Sequence, residues 1–186
     1  MAVLTIDMVP QHQHLLRRVS QPARNDRATY DLVTNMFDTL YSLNIGRGLS
    51  AIQVGVPERV FVMDAGRRAK NMGYEARALI NPVILYRSKR HILTEEEGCL
   101  SIPKTCEKGG QLPVPRSGWV VIRYTVPLIA MGRVFIGGET VEKHFSGLEA
   151  RIIQHEMDHL DGKLITDYLP TASSRPDVPI RLLAAE

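Results

Sequence analysis

His155, Glu156 and His159 are the residues whose types and spacing can do chemistry together. They lie in "IIQHEMDHLDG", residues Ile152 to Gly162. Two histidines four apart on a helix project from the same face, one turn apart, and can hold one divalent metal between them. Glu156 points roughly 100° away around the axis, because a helix turns once per 3.6 residues. It can therefore reach a water on the metal without becoming a ligand. The chance alternative is two surface histidines. Against it, Leu148 and Ile152 share the histidine face, and imidazoles on an apolar face are costly unless satisfied.

A catalytic metal of this kind keeps three protein ligands and an open position. The third ligand is not downstream. Some zinc proteases place a His three residues past the glycine that follows the motif, but here Gly162 is followed at that place by Ile165. The later carboxylates are Asp161, Asp167, Asp177 and Glu186. The first two are too near for a separate ligating helix, and the last two lie in a proline-broken tail. Upstream candidates are Cys99, Cys106, His144, His91, His12 and His14. Cys99 follows Gly98, which lets the backbone approach a ligand closely, and Leu100 then offers a backbone N–H beside the metal. Cys106 sits in a polar loop. The competing role for Cys99 is that of a small buried hydrophobe.

The elements that must position these residues are two helices and several strands. Asp26 to Ile45 reads as an amphipathic helix, with Leu32, Val33, Met36, Phe37, Leu40 and Tyr41 on one face, Asn25 as cap and Gly46 just past its end. The second helix runs from Ser146 to about Asp161. A Ser146–Glu149 capping box opens it and Gly162 stops it. Arg59–Asp64, Ala78–Tyr86 and Trp119–Val126 read as strands. "GRVFIGGETVEKHF" reads as a hairpin turning at Gly137–Gly138. Strands adjoining one another between two helices predict an α+β fold. Mostly antiparallel strands would surround a central metal-binding helix, with an amphipathic helix towards the N-terminus. Residues 1–169 are expected to form one catalytic domain. Residues 170–186 form a tail that cannot be one continuous helix, since Pro170, Pro176 and Pro179 interrupt it.

Composition excludes some classes. The 186 residues are 44% hydrophobic and 23% charged, with a net charge of +3, as in ordinary globular chains. The basic pairs are scattered among acidic residues, which argues for solvated surface rather than nucleic-acid binding. No apolar run approaches the ~18 residues of a membrane span. The N-terminus lacks a signal peptide's basic start, apolar stretch and cleavage site, so a cytoplasmic chain is expected, or one of an organelle matrix. Two cysteines make no disulfide framework.

Three motifs together resemble the peptide deformylases, which remove the formyl group from the N-terminal formylmethionine of newly made proteins. They are "GRGLSAIQ" (Gly46 to Gln53), "EGCLS" (Glu97 to Ser101) and "QHEMDHLDG" (Gln154 to Gly162). They occur in the family's order and at its approximate spacing, and the likeness covers roughly residues 10 to 169. The resemblance implies a metal-dependent hydrolase with the deformylase fold. Cys99, His155 and His159 would bind one divalent ion, natively Fe(II), with Zn, Ni or Co as replacements. Glu156 would act as general base on a water at the metal and then as proton donor. Gln53 and the Leu100 N–H would stabilise the oxyanion, and Gly48 would align the substrate backbone. Leu148 and Ile152, on the histidine face, would wall a methionine pocket or serve as plain core. The alternatives are the same site acting on a different N-acyl peptide, and a non-catalytic binding protein of the same fold. Some members dock on the ribosome through a C-terminal helix, which the prolines here argue against, so a ribosome contact is not carried over.

Several positions depart from the family pattern. Arg47 and Glu95 replace apolar residues and are expected either to pair across the cleft mouth or to be two unrelated surface charges. Ser50 replaces a common alanine, a change read as small. Arg151 is expected to serve surface or partner contact, and Asp158 to orient a cation such as Arg116. "KTCEKGGQLPVPR" is longer than in short members and is expected to form a flap near the cleft.

Overall fold

A computed structural model describes residues 2–43, 45–66, 76–130 and 133–169, the last stretch of β6 and the first of β7 by backbone alone. The tail expected at 170–186 lies outside the described residues. Among the described residues, seven strands run in chain order: β1 (Gly48–Ser50), β2 (Val60–Met63), β3 (Arg77–Arg87), β4 (Ile92–Glu97), β5 (Leu112–Ser117), β6 (Trp119–Ala130) and β7 (Arg133–Ser146). The α-helices among the described residues are α1 (Gln13–Leu16), α2 (Arg27–Ser42) and α3 (Gly147–Leu160). A five-stranded sheet has the order β1-β2-β3-β6-β7, and β4 pairs with β5 in a separate ribbon. Each of these pairings is antiparallel. The expected α+β class is the observed one.

Burial explains the arrangement. The run "VFVM" of β2 is buried on both faces because side chains alternate across a strand. Phe61 and Met63 join the core under α3, with Leu79, Ile122, Phe145, Ile153 and Leu160. Val60 and Val62 join the core under α2, with Val33, Met36, Leu40 and Leu49. The sheet is thereby held between α2 and the metal-motif helix α3. A third cluster places Leu16, Leu164 and Ile165 around Cys99, Ile102 and Val114. The residue that excludes the protease ligand, Ile165, is thus core.

Local details differ from the sequence expectation. Asp26, not Asn25, caps α2: its side chain accepts the Thr29 N–H at 3.0 Å, while Asn25 Oδ1 accepts the Tyr30 hydroxyl at 2.7 Å. The helix ends at Ser42 rather than Ile45, and Tyr41 is exposed. The Ser146–Glu149 capping box does not form. Ser146 is also the last residue of β7, opposite Trp119, and Glu149 instead lies 3.5 Å from Arg77 Nε. The hairpin does not turn at Gly137–Gly138. The β6–β7 pairing runs on to Ala130↔Arg133, and the two glycines fall at a register shift inside β7. Glycines mark a bulge as readily as a turn. The sequence reading missed β1, β4, β5 and α1.

Candidate metal centre and active site

The donor atoms of Cys99, His155 and His159 all lie within 4.8 Å of one another. The two histidines come from one face of α3, as their spacing predicts. The thiol comes from the loop after β4, which is tied down locally. The Cys99 N–H donates to Thr105 Oγ1 at 2.8 Å, and the Ile102 N–H donates to the Cys99 carbonyl at 2.9 Å. Gly98 is required in that loop, because a Cβ there would sit 2.7 Å from the Thr105 carbonyl oxygen. Cys99 Sγ is 3.2 Å from His159 Nε2, and both residues are buried. One thiolate with two imidazoles is a donor set for a divalent transition ion rather than for Mg²⁺ or Ca²⁺, so the residues present fit the expected metal. Cys106 lies beside the cluster but outside it. Its Sγ donates to the Cys99 carbonyl at 3.3 Å, and burial pushes its thiol pKa up, away from the thiolate a ligand must be.

Glu97 holds His155 in place, and the sequence reading gave it no role. Its Oε2 lies 2.9 Å from His155 Nδ1, which leaves Nε2 to face the cluster. Glu97 also receives Arg116 at 3.0 and 2.9 Å and Arg151 Nη1 at 2.7 Å. Burial alone would raise its pKa, but the bonds from His155 and Arg116 outweigh it and hold the carboxyl at about 2. Burial also disfavours charge on His155, yet its bonds to Cys99 and Glu97 prevail and draw the ring towards protonation. A cation bound at the thiolate would compete for that same position. Burial keeps His159 neutral, the state a ligand needs.

Asp158 meets Arg116, as expected, and also accepts the Tyr168 hydroxyl at 2.8 Å. Arg151 corrects its expectation. It is buried at 8% exposure, with Nε 3.0 Å from Glu95 and Nη groups on Glu97 and the carbonyls of Val114 and Leu93. The expected Arg47–Glu95 pair is therefore not formed among the described residues. Glu95, on β4, is engaged by α3 instead.

Around the cluster lies a cleft with a cavity of about 340 Å³. Gly48, Gln53, Leu100, Leu148, Ile152 and Glu156 all line it, so the structure brings together every candidate substrate and catalytic residue. Arg47 also lines it, and so do Thr105, Cys106 and Gln111 of the long segment expected as a flap. Gln53 is buried and its amide is oriented: Oε1 accepts the Ser50 N–H at 2.9 Å, and Nε2 donates to Ser101 Oγ at 3.1 Å and lies 3.9 Å from Cys99 Sγ. The Leu100 N–H has no hydrogen-bond partner among the described residues. Glu156 is 3% exposed, and burial raises its pKa above the usual carboxylate range. A carboxyl so shifted is suited to taking and returning a proton near neutral pH. Gly48 lies directly against it, since a Cβ there would stand 2.4 Å from Glu156 Oε1.

The polypeptide deformylase family model matches residues 5–175. The peptide deformylase of Afipia carboxidovorans is 41% identical over 91% of this chain and 88% of its own. That of Phenylobacterium zucineum is 39% identical over 91% and 89%. Among solved structures, the Thermotoga maritima peptide deformylase is 32% identical with a TM-score of 0.74, covering 91% of this chain and 99% of that one. The Acinetobacter baumannii enzyme with Met-Ala-Ser bound is 29% identical with a TM-score of 0.73, covering 90% and 99%. The chain belongs to the polypeptide deformylase family, hydrolases that remove the N-formyl group from nascent peptides.

Proposed function

We propose that this chain hydrolyses the formyl group of N-formylmethionyl peptides, with residues 1–169 as the catalytic unit. The observation that carries the reading is a buried carboxylate, Glu156, beside a Cys99–His155–His159 cluster in one cleft with Gln53. Cys99, His155 and His159 would hold one divalent ion, natively Fe(II) and replaceable by Zn, Ni or Co, which would supply the Lewis acidity that makes a water nucleophilic near neutral pH. Glu156 takes the proton of the attacking water and delivers it to the departing amine. The Gln53 amide and the Leu100 N–H donate to the formyl oxygen as it becomes an oxyanion; losing one such donor typically costs about a hundredfold or more in rate. Gly48 leaves room for the peptide backbone beside Glu156. Leu148 and Ile152 offer the apolar wall that a methionine side chain fits. The Met-Ala-Ser in the Acinetobacter baumannii relative supports a peptide in this cleft.

The test is turnover of formyl-Met-Ala against acetyl-Met-Ala by protein purified without oxygen, with metal analysis. Rapid deformylation with little deacetylation is expected. Turnover of the acetyl peptide alone would move the function to another N-acyl substrate. Glu156→Gln should keep its metal and lose at least about a hundredfold in kcat. Retained activity would remove Glu156 from the proton transfer.

A further inference from the structure

Ser50 touches both catalytic side chains. It ends β1 and is fully buried. Its N–H holds Gln53 through Oε1 at 2.9 Å. Its hydroxyl donates to Glu156 Oε2, and the same Oγ lies 3.2 Å from the backbone carbonyl oxygen of Glu156. One hydroxyl proton faces two acceptors, and the carboxylate oxygen stands closer than the backbone carbonyl oxygen. Oε2 is thus occupied. The other oxygen, Oε1, lies over Gly48 in the cleft wall.

We propose that the Ser50 hydroxyl is a positioning residue for the general base: it anchors Oε2 of Glu156 and commits Oε1, above Gly48, to moving the proton. The inference rests on the reading of Glu156 as the proton carrier. A glutamate has three rotatable bonds, and a carboxylate free to turn spends part of its time facing the wrong way. Anchoring one oxygen removes that freedom before substrate arrives, which is pre-organisation of the reacting geometry. Ser50 is not placed at the peptide, so its contribution belongs to kcat and not to KM. Ser50's position in β1, opposite Phe61, fixes where the hydroxyl stands.

The test compares wild type, Ser50→Ala, Glu156→Asp and the double variant on formyl-Met-Ala, with metal content measured in each. Ser50→Ala should lower kcat about tenfold, a difference of about 1.4 kcal/mol, with KM and metal content unchanged. In the Glu156→Asp background the shorter side chain no longer reaches Ser50, so Ser50→Ala should cost nothing further. A crystal structure of Ser50→Ala should show the Glu156 carboxylate in more than one orientation. The proposal is overturned by a kcat within about twofold of wild type, by a loss carried in KM or metal content, by equal losses in both backgrounds, or by an unmoved single carboxylate orientation. If wild type is active and Glu156→Gln inactive while Ser50→Ala is unchanged, only this inference fails. If Glu156→Gln is active, the underlying assignment fails instead.

Discussion

At the scale of single residues, the site depends on how closely groups are held against Glu156. Gly48 is the clearest case. A Cβ there would overlap Oε1 at 2.4 Å, so Gly48→Ala must displace either the carboxylate or β1. A shift of about 1 Å in a reacting group can cost about a hundredfold in rate. We expect Gly48→Ala to lose at least about that much in kcat/KM while its Tm stays close to wild type, measured by deformylation and calorimetry on one preparation. Glu97 shows the limits of reading residues singly. It is one of three consecutive glutamates, and nothing in "EEE" says which one is buried. Glu95 and Glu97 share one face of β4 and both meet Arg151, but Glu97, at the strand's end, also meets Arg116 and His155 and is the one that is buried. The Arg47–Glu95 expectation failed for the same reason: a charge takes the partner that packing brings to it, and α3 brings Arg151 to Glu95.

At the scale of elements, α3 was the most legible part of the chain. Its periodicity, its histidine pair and its glycine stop are all local signals, and the helix runs from Gly147 to Leu160. Gly162 has a second duty that the sequence does not reveal. Its φ is +71°, and a Cβ there would stand 2.4 Å from the Arg17 carbonyl oxygen, where the N-terminal segment crosses the end of α3. Gly162→Ala should cost at least about 1–3 kcal/mol, lowering Tm by roughly 2–4 °C per kcal/mol in a chain of this size. That crossing is clamped by Arg17 and Asp167, whose Nη2–Oδ1 contact is 2.7 Å. The Arg17 bond holds the Asp167 pKa below its ordinary value of 3.8. Its side chain is about a third exposed, so the pair contributes only about 0–1 kcal/mol. A depressed carboxyl pKa gives stability that is present above the unfolded pKa and lost as the pH falls through the folded one. The urea midpoint of wild type should therefore exceed that of Asp167→Asn near pH 6, and the gap should close as pH drops below 3.8. Strands β4 and β5 were hidden by composition, since "ILTEEE" and "LPVPRS" carry acidic and proline residues that read as loop. They pair with each other in a two-stranded ribbon, outside the main sheet, where proline is tolerated.

At the scale of the whole molecule, the Cys99–His155–His159 cluster links distant parts of the chain. Cys99 and His159 are 60 residues apart, and only the packing of the post-β4 loop against α3 brings them to 3.2 Å. An ion bound by both must stabilise that packing, because the unfolded chain offers no such site. Chelation should abolish deformylation and lower Tm, by an amount corresponding to about 3 kcal/mol for an ion present at a hundredfold its Kd. Adding Fe(II), Ni or Zn back should restore both, and calorimetry beside the activity assay reads the two effects together.

The sequence by itself determined the fold class, the two histidines on one helical face, and Glu156 between them turned aside from the ligand direction. These follow from a repeat of 3.6 residues and from local breakers, which any short window contains. The three motifs added the family and, with it, Cys99. Only the tertiary structure decided what holds those residues: Glu97 on His155, Arg151 on Glu95 and Glu97, Ser50 on Glu156, and Gly48 against the carboxylate. A side chain's partner is set by distances of a few ångströms between segments far apart in the chain. Those distances come from how the sheet, α3 and the loops pack as a unit, and no local pattern encodes them.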